Sequence, residues 1–265
     1  IMINNYVRFT ESIMLILGVI FQLDLVIVIV IYIIPRFMGL FLKIIQTKKY
    51  FDLKISTKFF NVVEFKKIII PAFSFLAFPI GNSIILQGFI LLINFTMGNL
   101  SVVIFNTTRT LANVVKLFVG IINNSVWPEL TLLYGKSNWN SLKKLLRYCG
   151  AICFYFSVLA SIFLLLTGEL IYETWTNNVL DFNFVLMFCF LTTIITHTIW
   201  SSISIILMST NNHKKLSFYY LITSLCSLLI GFVLLRASSS INYLPLTLLI
   251  IDITLIFIVM NQSLN

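Results

Sequence analysis

Two permanent cations, Arg109 and Lys116, lie inside a stretch that is otherwise apolar enough to cross a membrane. On an α-helix they are two turns apart, about 10.5 Å along the axis. At about 100° per residue, the two cations lie within one sector roughly 120° wide. The same sector holds several polar or small residues: Asn106, Asn113, Gly120, Asn123 and Asn124. Because a charge in mid-membrane costs about 2.5–3.5 kcal/mol, such a stripe usually marks a pathway or a binding site.

The side chains of this stripe suit an anion that also carries hydroxyl groups. A guanidinium presents a planar fork that matches phosphate oxygens, and an ammonium adds a compact second charge. Amide side chains can form hydrogen bonds with sugar hydroxyls, and the preceding apolar segment contributes further amide side chains. The predicted substrate-binding residues are Arg109, Lys116, Asn113, Asn106, Asn82 and Gln87. The alternative is that both cations pair with acids on helices outside this chain.

Few other residues have types suited to chemistry. Asp252, alone in the last apolar segment, is a candidate for ion coupling, with a buried, hydrogen-bonded structural acid as the alternative. His197 lines a cavity or packs between helices, and we expect His213 to be a solvated loop residue. Cys149 and Cys153 are one turn apart and are interpreted as packing residues. No catalytic dyad, metal-ligand spacing or phosphate loop is found, so we expect neither an enzyme nor a cofactor or metal.

The composition indicates an all-α integral membrane protein. The 265 residues are 59% hydrophobic and 10% charged, whereas soluble domains average about 45–50% and 25%. The net charge of +9 does not require a nucleic-acid partner, because basic charge in membrane proteins follows topology.

The apolar runs predict about eight transmembrane helices, broken at Gln22–Asp24 and by a basic segment over 45–67. The predicted spans cover residues 7–21, 25–44, 68–95, 101–127, 147–167, 182–208, 216–235 and 243–260. A single kinked span after an interfacial helix is the alternative for 8–44. We expect Pro35, Pro71, Pro79 and Gly81 to bend their helices, and Pro128 with Glu129 to end the fourth. Arg36 is expected to pack or to snorkel.

The distribution of charge predicts the topology. If both termini and the loops at 43–67, 129–147 and 211–215 face the cytoplasm, 14 of the 18 Lys and Arg residues lie inside and only Arg236 lies outside. This satisfies the positive-inside rule at each loop. The 45–67 segment is then a cytoplasmic linker, or alternatively a basic surface that binds anionic lipid headgroups.

Several short motifs occur in order between residues 70 and 225. They are Phe-Pro-Ile-Gly-Asn at 78–82, Gln-Gly at 87–88, Thr-Arg-Thr-Leu at 108–111, Asn-Asn-Ser-Val-Trp-Pro-Glu-Leu at 123–130, Tyr-Gly at 134–135, Met-Ser-Thr-Asn-Asn-His at 208–213 and Tyr-Tyr at 219–220. This set resembles the O-antigen flippases, the polysaccharide transporter branch of the multidrug/oligosaccharidyl-lipid/polysaccharide exporter superfamily.

The resemblance implies a twelve- or fourteen-helix transporter with two six-helix lobes around a cationic cavity. Such proteins move polyprenyl-diphosphate-linked oligosaccharides across the bacterial inner membrane by alternating access. On this mapping, residues 1–44 resemble the end of the first lobe, 45–67 the linker and 68–265 a second six-helix lobe. Arg109 and Lys116 then correspond to cavity cations. Expected partners are the lipid-linked substrate, membrane lipids and polysaccharide polymerase or assembly proteins, not nucleic acid.

The chain departs from the family because about four N-terminal spans are missing, so we expect a fragment or a truncated product. Two other functions stay open. One is an ion-coupled antiporter of small organic compounds, for which an acidic cavity would be more typical. The other is a truncated, non-transporting membrane partner of a polysaccharide assembly complex.

Overall fold

The apolar runs form eight α-helices in the computed structural model, which describes residues 2–50, 60–238 and 240–264. They are α1 (Met2–Ile20), α2 (Leu25–Tyr50), α3 (Val62–Met97), α4 (Asn99–Gly135), α5 (Trp139–Thr176), α6 (Phe184–Ser209), α7 (Lys214–Ser238) and α8 (Leu248–Leu264). A short 3-10 helix, Leu244–Thr247, precedes α8. No strand occurs in these described ranges.

Among the described residues, seven segments are long and apolar enough to cross a membrane, namely α2 to α7 and the segment Leu244–Gln262. The predicted all-α, multi-span fold class is therefore confirmed. The helix α1, predicted as the first span, is not among the seven. The predicted turn at 22–24 is present, and Gln22 adopts a left-handed φ of 50° there.

The chain divides into two units, Ile1–Val62 and Val63–Asn265. The first unit is a hairpin in which α1 packs against α2. The predicted linker over 45–67 falls partly on residues 51–59, which lie outside the described residues. Of its remainder, 45–50 belong to α2, and α3 begins at Val62.

In the second unit α6 is the central helix. It packs against α4, α5 and α8, while α7 packs against α8. The helix α3 contacts α4 through Phe89 and Phe105, whose ring centroids are 6.2 Å apart, and it contacts α7 through Phe78 and Tyr220. Because α6 is surrounded, residues on several of its sides are buried, as expected for a helix without an exposed polar face.

Several helices run further than the sequence predicted. The helix α4 continues through Pro128 to Gly135, so the prediction that Pro128 and Glu129 end it is wrong. The helix α5 spans Trp139–Thr176, which reduces the predicted loops at 129–147 and 168–181 to 136–138 and 177–183. Its 38 residues correspond to about 57 Å, more than a hydrocarbon core of about 30 Å. The polar residues we assigned to loops therefore lie on helix ends.

The helix α3 is continuous through Pro71 and Pro79. Here Nε2 of His213 lies 3.3 Å from the carbonyl oxygen of Pro71. His213 is only 2% exposed and packs edge-on against Phe75. The prediction that His213 is a solvated loop residue is thus wrong, because the α6–α7 turn folds onto α3.

Candidate functional site

One cavity of about 410 Å³ opens between α3, α4, α6 and α8, with Tyr220 of α7 on its wall. Five residues that the sequence predicts as substrate-binding or ion-coupling line it: Asn82, Arg109, Asn113, Lys116 and Asp252. They come from three helices, so the fold brings together side chains up to 170 positions apart. We call this space the first cavity.

Arg109 is held on the cavity wall by α3. Its Nη1 donates to the backbone oxygen of Leu86 at 3.3 Å, and its guanidinium carbon lies 5.7 Å from the centroid of the Phe105 ring. Since a guanidinium has five N–H donors, most of its donor capacity is left for a ligand. The ring and the carbonyl fix its position without neutralising its charge.

Lys116 lies two helical turns after Arg109 on the same face of α4, and it also lines the first cavity. In the described part of the chain, neither Lys116 nor Arg109 has a carboxylate oxygen within 4.0 Å. An uncompensated charge in an apolar environment is expensive. We therefore expect this wall of the cavity to favour binding of an anion.

Asp252 is the acid of the first cavity and is only 4% exposed. Its Oδ1 accepts from Nε1 of Trp200 at 2.8 Å, and its Oδ2 accepts from Oγ1 of Thr196 at 2.9 Å. Nδ1 of His197 lies 3.5 Å from Oδ1. The carboxylate is thus a hydrogen-bonded member of the α6–α8 contact, and it also lies on the cavity wall.

The proximity of His197 to Asp252 was not predicted. The two residues are 55 positions apart, and we found no acidic partner for either histidine in sequence. The signal available was the position of His197 on an apolar helix, where an ionisable group is expected to have a partner. Which helix supplies that partner depends on packing.

Two residues predicted for the substrate site do not line this cavity. Gln87 is exposed on α3. The Oδ1 atom of Asn106 is buried and has no hydrogen-bond partner in the described residues. Asn106 lies almost one turn before Arg109 on α4 and is not part of the cavity lining.

A second cavity of about 240 Å³ follows the first along α4 and α6. Both cavities are lined by Lys116 and His197, so these two side chains form the boundary between them. The α6 residues of the second wall recur at helical spacing, which sequence reasoning could have detected: His197, Trp200, Ser201 and Ser204. Of this stripe, only His197 was predicted to line a cavity.

Cys149 and Cys153 lie behind this second cavity on α5. Both are buried, as expected for packing residues. Their Sγ atoms lie 3.7 Å and 3.4 Å from Oδ1 of Asn123. The thiols therefore use the amide oxygen of Asn123 as an acceptor and orient that side chain. No cluster of three or more potential metal ligands occurs among the residues described.

A separate polar cluster lies within the first unit. Nε of Arg36 donates to Oε1 of Glu11 at 3.0 Å, and Tyr32 lies beside the guanidinium. Glu11 is only 6% exposed. Arg36, expected to pack or snorkel, is therefore the partner of a buried carboxylate, and this pair was not predicted.

Comparisons with family models, with curated proteins and with solved structures find no match to this chain. The chemistry of the site therefore has to be inferred from its own residues. Its main features are two cations without a carboxylate partner in the described residues, one buried acid bound to an indole, and a second, mostly apolar cavity that neutral amides and hydroxyls also line.

Proposed function

We propose that this protein moves a polyprenyl-diphosphate-linked oligosaccharide, such as an O-antigen or other surface polysaccharide unit, across a membrane by alternating access. The observation that carries the proposal is that Arg109 and Lys116, on the wall of the first cavity, have no carboxylate within 4.0 Å in the part of the chain that the structure describes. The resemblance of the motifs between residues 70 and 225 to the O-antigen flippases supports the same substrate class.

A diphosphate fits this wall for electrostatic reasons. Two cations and one acid line the first cavity, and the acid already accepts hydrogen bonds from Trp200 and Thr196. A diphosphate would give the cations the partners that the described residues do not provide, and it would supply several acceptor oxygens to a guanidinium fork. The isoprenoid part would stay in the surrounding lipid.

The test is translocation of a labelled polyprenyl-diphosphate oligosaccharide by vesicles that contain the purified protein. Arg109→Gln and Lys116→Gln should each lower the rate by about tenfold or more, because each removes a desolvated charge from the site. Lys143→Gln is the matched control, since Lys143 is an exposed cation near the start of α5. It should leave the rate unchanged.

Equal rates for the three variants and the unmodified protein, at equal protein level, would contradict the role of the cavity cations. Absence of translocation by the unmodified chain would favour the non-transporting partner of a polysaccharide assembly complex. Co-purification with polymerase or assembly proteins would then be the decisive observation for that alternative.

We further propose that the protein resides in a bacterial inner membrane with both termini in the cytoplasm. Because this orientation needs an even number of crossings, the proposal includes α1 as an eighth span beside the seven segments that are long and apolar enough among the described residues. The support is the excess of Lys and Arg in the segments assigned to the inside. Reporter fusions at the two termini and at 177–183 test this orientation. A cytoplasmic signal from 177–183, with an external signal from the termini, would reverse it.

A second candidate function is ion-coupled antiport of small organic compounds. One observation favours it, which is the presence of Asp252 on the wall of the first cavity. Efflux of an organic cation driven by an ion gradient, lost in Asp252→Asn and retained in Lys116→Gln, would support this candidate. Absence of gradient-driven efflux from the unmodified protein would contradict it.

A further inference from the structure

The second cavity differs in chemistry from the first. Beyond its boundary at Lys116 and His197, its polar wall consists of neutral groups: the amides of Asn123 and Asn124, the hydroxyls of Ser201 and Ser204, and the indoles of Trp127 and Trp200. No carboxylate lines it among the residues described. A charged ligand therefore finds its partners only at the boundary.

Neutral donors and acceptors beside flat apolar rings form a wall suited to a polyol. Indole rings present an apolar face to carbon-bound hydrogens, while amides and hydroxyls bind the hydroxyl groups and set orientation. We propose that the second cavity is a saccharide subsite, which holds the sugar nearest the diphosphate while Arg109 and Lys116 hold the diphosphate. This inference rests on the proposed function, because it requires the anion to occupy the first cavity.

The polar groups of the second cavity have unused hydrogen-bonding capacity. Oδ1 of Asn123 is used by the two α5 thiols, but within the described residues its Nδ2 and the amide of Asn124 have no partner. Ser201, which is partly exposed, donates to the backbone oxygen of Thr198, which leaves its lone pairs free to accept. The wall can therefore both donate to and accept from sugar hydroxyls.

The indole of Trp200 is fixed before any ligand binds. Its Nε1 donates to Asp252, and its ring stands almost perpendicular to His197, with centroids 4.8 Å apart and an interplanar angle of 86°. Trp127 is held near Phe75, with centroids 6.4 Å apart. Because these rings are already positioned, a ligand does not have to order them, and this favours affinity.

Gly120 gives a way to fill the second cavity selectively. It lines this cavity and not the first, and a Cβ placed there meets no atom within 4 Å. Gly120→Leu therefore adds a side chain in open space. Gly150→Leu is the matched control, since Gly150 also has open space around its Cβ and lines neither cavity.

The experiment compares the Kd of two probes for the purified full chain. One is a polyprenyl diphosphate and the other is the same lipid carrying a single hexose. Binding is followed by tryptophan fluorescence, since two of the four tryptophans line the second cavity. We expect the hexose to tighten binding by about tenfold in the unmodified protein and in Gly150→Leu. In Gly120→Leu this preference should fall to about twofold or less, with the Kd of the bare lipid unchanged.

The outcomes separate this inference from the proposed function. Tight binding of both probes with equal Kd, or a hexose preference that survives Gly120→Leu, would overturn the saccharide subsite and leave the diphosphate site intact. Binding of neither probe by the unmodified protein would overturn both. If Gly120→Leu does not fold, Asn124→Ala replaces it, because Asn124 is exposed, and it should weaken only the glycosylated probe.

Discussion

Nε1 of Trp200 donates to Oδ1 of Asp252 at 2.8 Å, and this bond joins α6 to α8. The two residues lie on different cavities, since Asp252 lines the first and Trp200 lines the second. Both side chains are buried. A change in the position of the carboxylate is therefore transmitted directly to the indole that forms the neighbouring wall.

The bond predicts different effects on stability for two substitutions of Asp252. The amide oxygen can still accept from Trp200. The hydroxyl of Thr196 can donate to the Thr193 backbone oxygen, 2.9 Å away, and accept from the new amide. We expect a stability change below about 1 kcal/mol, whereas Asp252→Leu should cost about 1–3 kcal/mol by leaving the indole N–H unpaired. Chemical denaturation in detergent measures both.

The variant Asp252→Asn also tests ion coupling. If Asp252 binds the coupling ion, Asp252→Asn abolishes gradient-driven transport at unchanged stability. Full transport by a stable Asp252→Asn protein would restrict Asp252 to its structural role.

Lys116→Met should stabilise the protein while it weakens diphosphate binding. Lys116 has no carboxylate within 4.0 Å in the described residues, so its removal breaks no direct ion pair, and Asp252 keeps its bonds to Trp200 and Thr196. A lysine at the centre of a membrane helix costs up to about 3 kcal/mol relative to an apolar side chain, and part of this should be recovered. Lys143→Met, at an exposed position, should change stability by less than about 0.5 kcal/mol. A less stable Lys116→Met would indicate a structural ion pair.

Gly81→Ala should separate α3 from α7. A Cβ at Gly81 would lie 2.7 Å from Cε1 of Tyr220 and 2.9 Å from Oγ of Ser224, and both neighbours are buried. Such overpacking costs about 1–3 kcal/mol. Gly120→Ala is the control, because its Cβ enters open space and alanine favours the helix by up to about 1 kcal/mol. The midpoint of thermal unfolding should fall in Gly81→Ala and rise in Gly120→Ala. A shift in the same direction for both variants would refute the close approach of α3 to α7 at Gly81.

The Glu11–Arg36 pair should respond asymmetrically to mutation. The Arg36 side chain is 58% exposed and that of Glu11 is 7% exposed. Arg36→Gln leaves a buried carboxylate without its cation, whereas Glu11→Gln leaves an accessible guanidinium. Arg36→Gln should therefore lower the stability of the α1–α2 hairpin more than Glu11→Gln. Protease susceptibility of the two variants measures the difference, and equal effects would mean that burial of Glu11 is unimportant.

The sequence predicts the helices better than it predicts their ends. Hydrophobic runs identify the apolar segments because burial and membrane insertion depend on composition over a window. The predicted end of α4 at Pro128 was wrong, because the helix continues through this proline to Gly135. The prediction used the local helix propensity of the residues, which does not account for contacts with neighbouring helices.

The candidate site was predictable where it lies on one helix. The periodicity of α4 grouped Arg109, Asn113 and Lys116 correctly on one wall. The contact between His197 and Asp252 and the burial of His213 depend on how helices rotate and pack against each other. A single sequence gives the angle of a residue on its own helix, but not the residue that faces it.

The shared boundary of the two cavities has a consequence for fidelity. Lys116 and His197 line both spaces, so the free energies of occupying them are linked, and thermodynamic linkage is reciprocal. If a sugar in the second cavity tightens the hold on the diphosphate, an unglycosylated carrier lipid must be held less tightly by the same factor. The two shared side chains would then make the protein bind a glycosylated carrier lipid in preference to an unglycosylated one before transport.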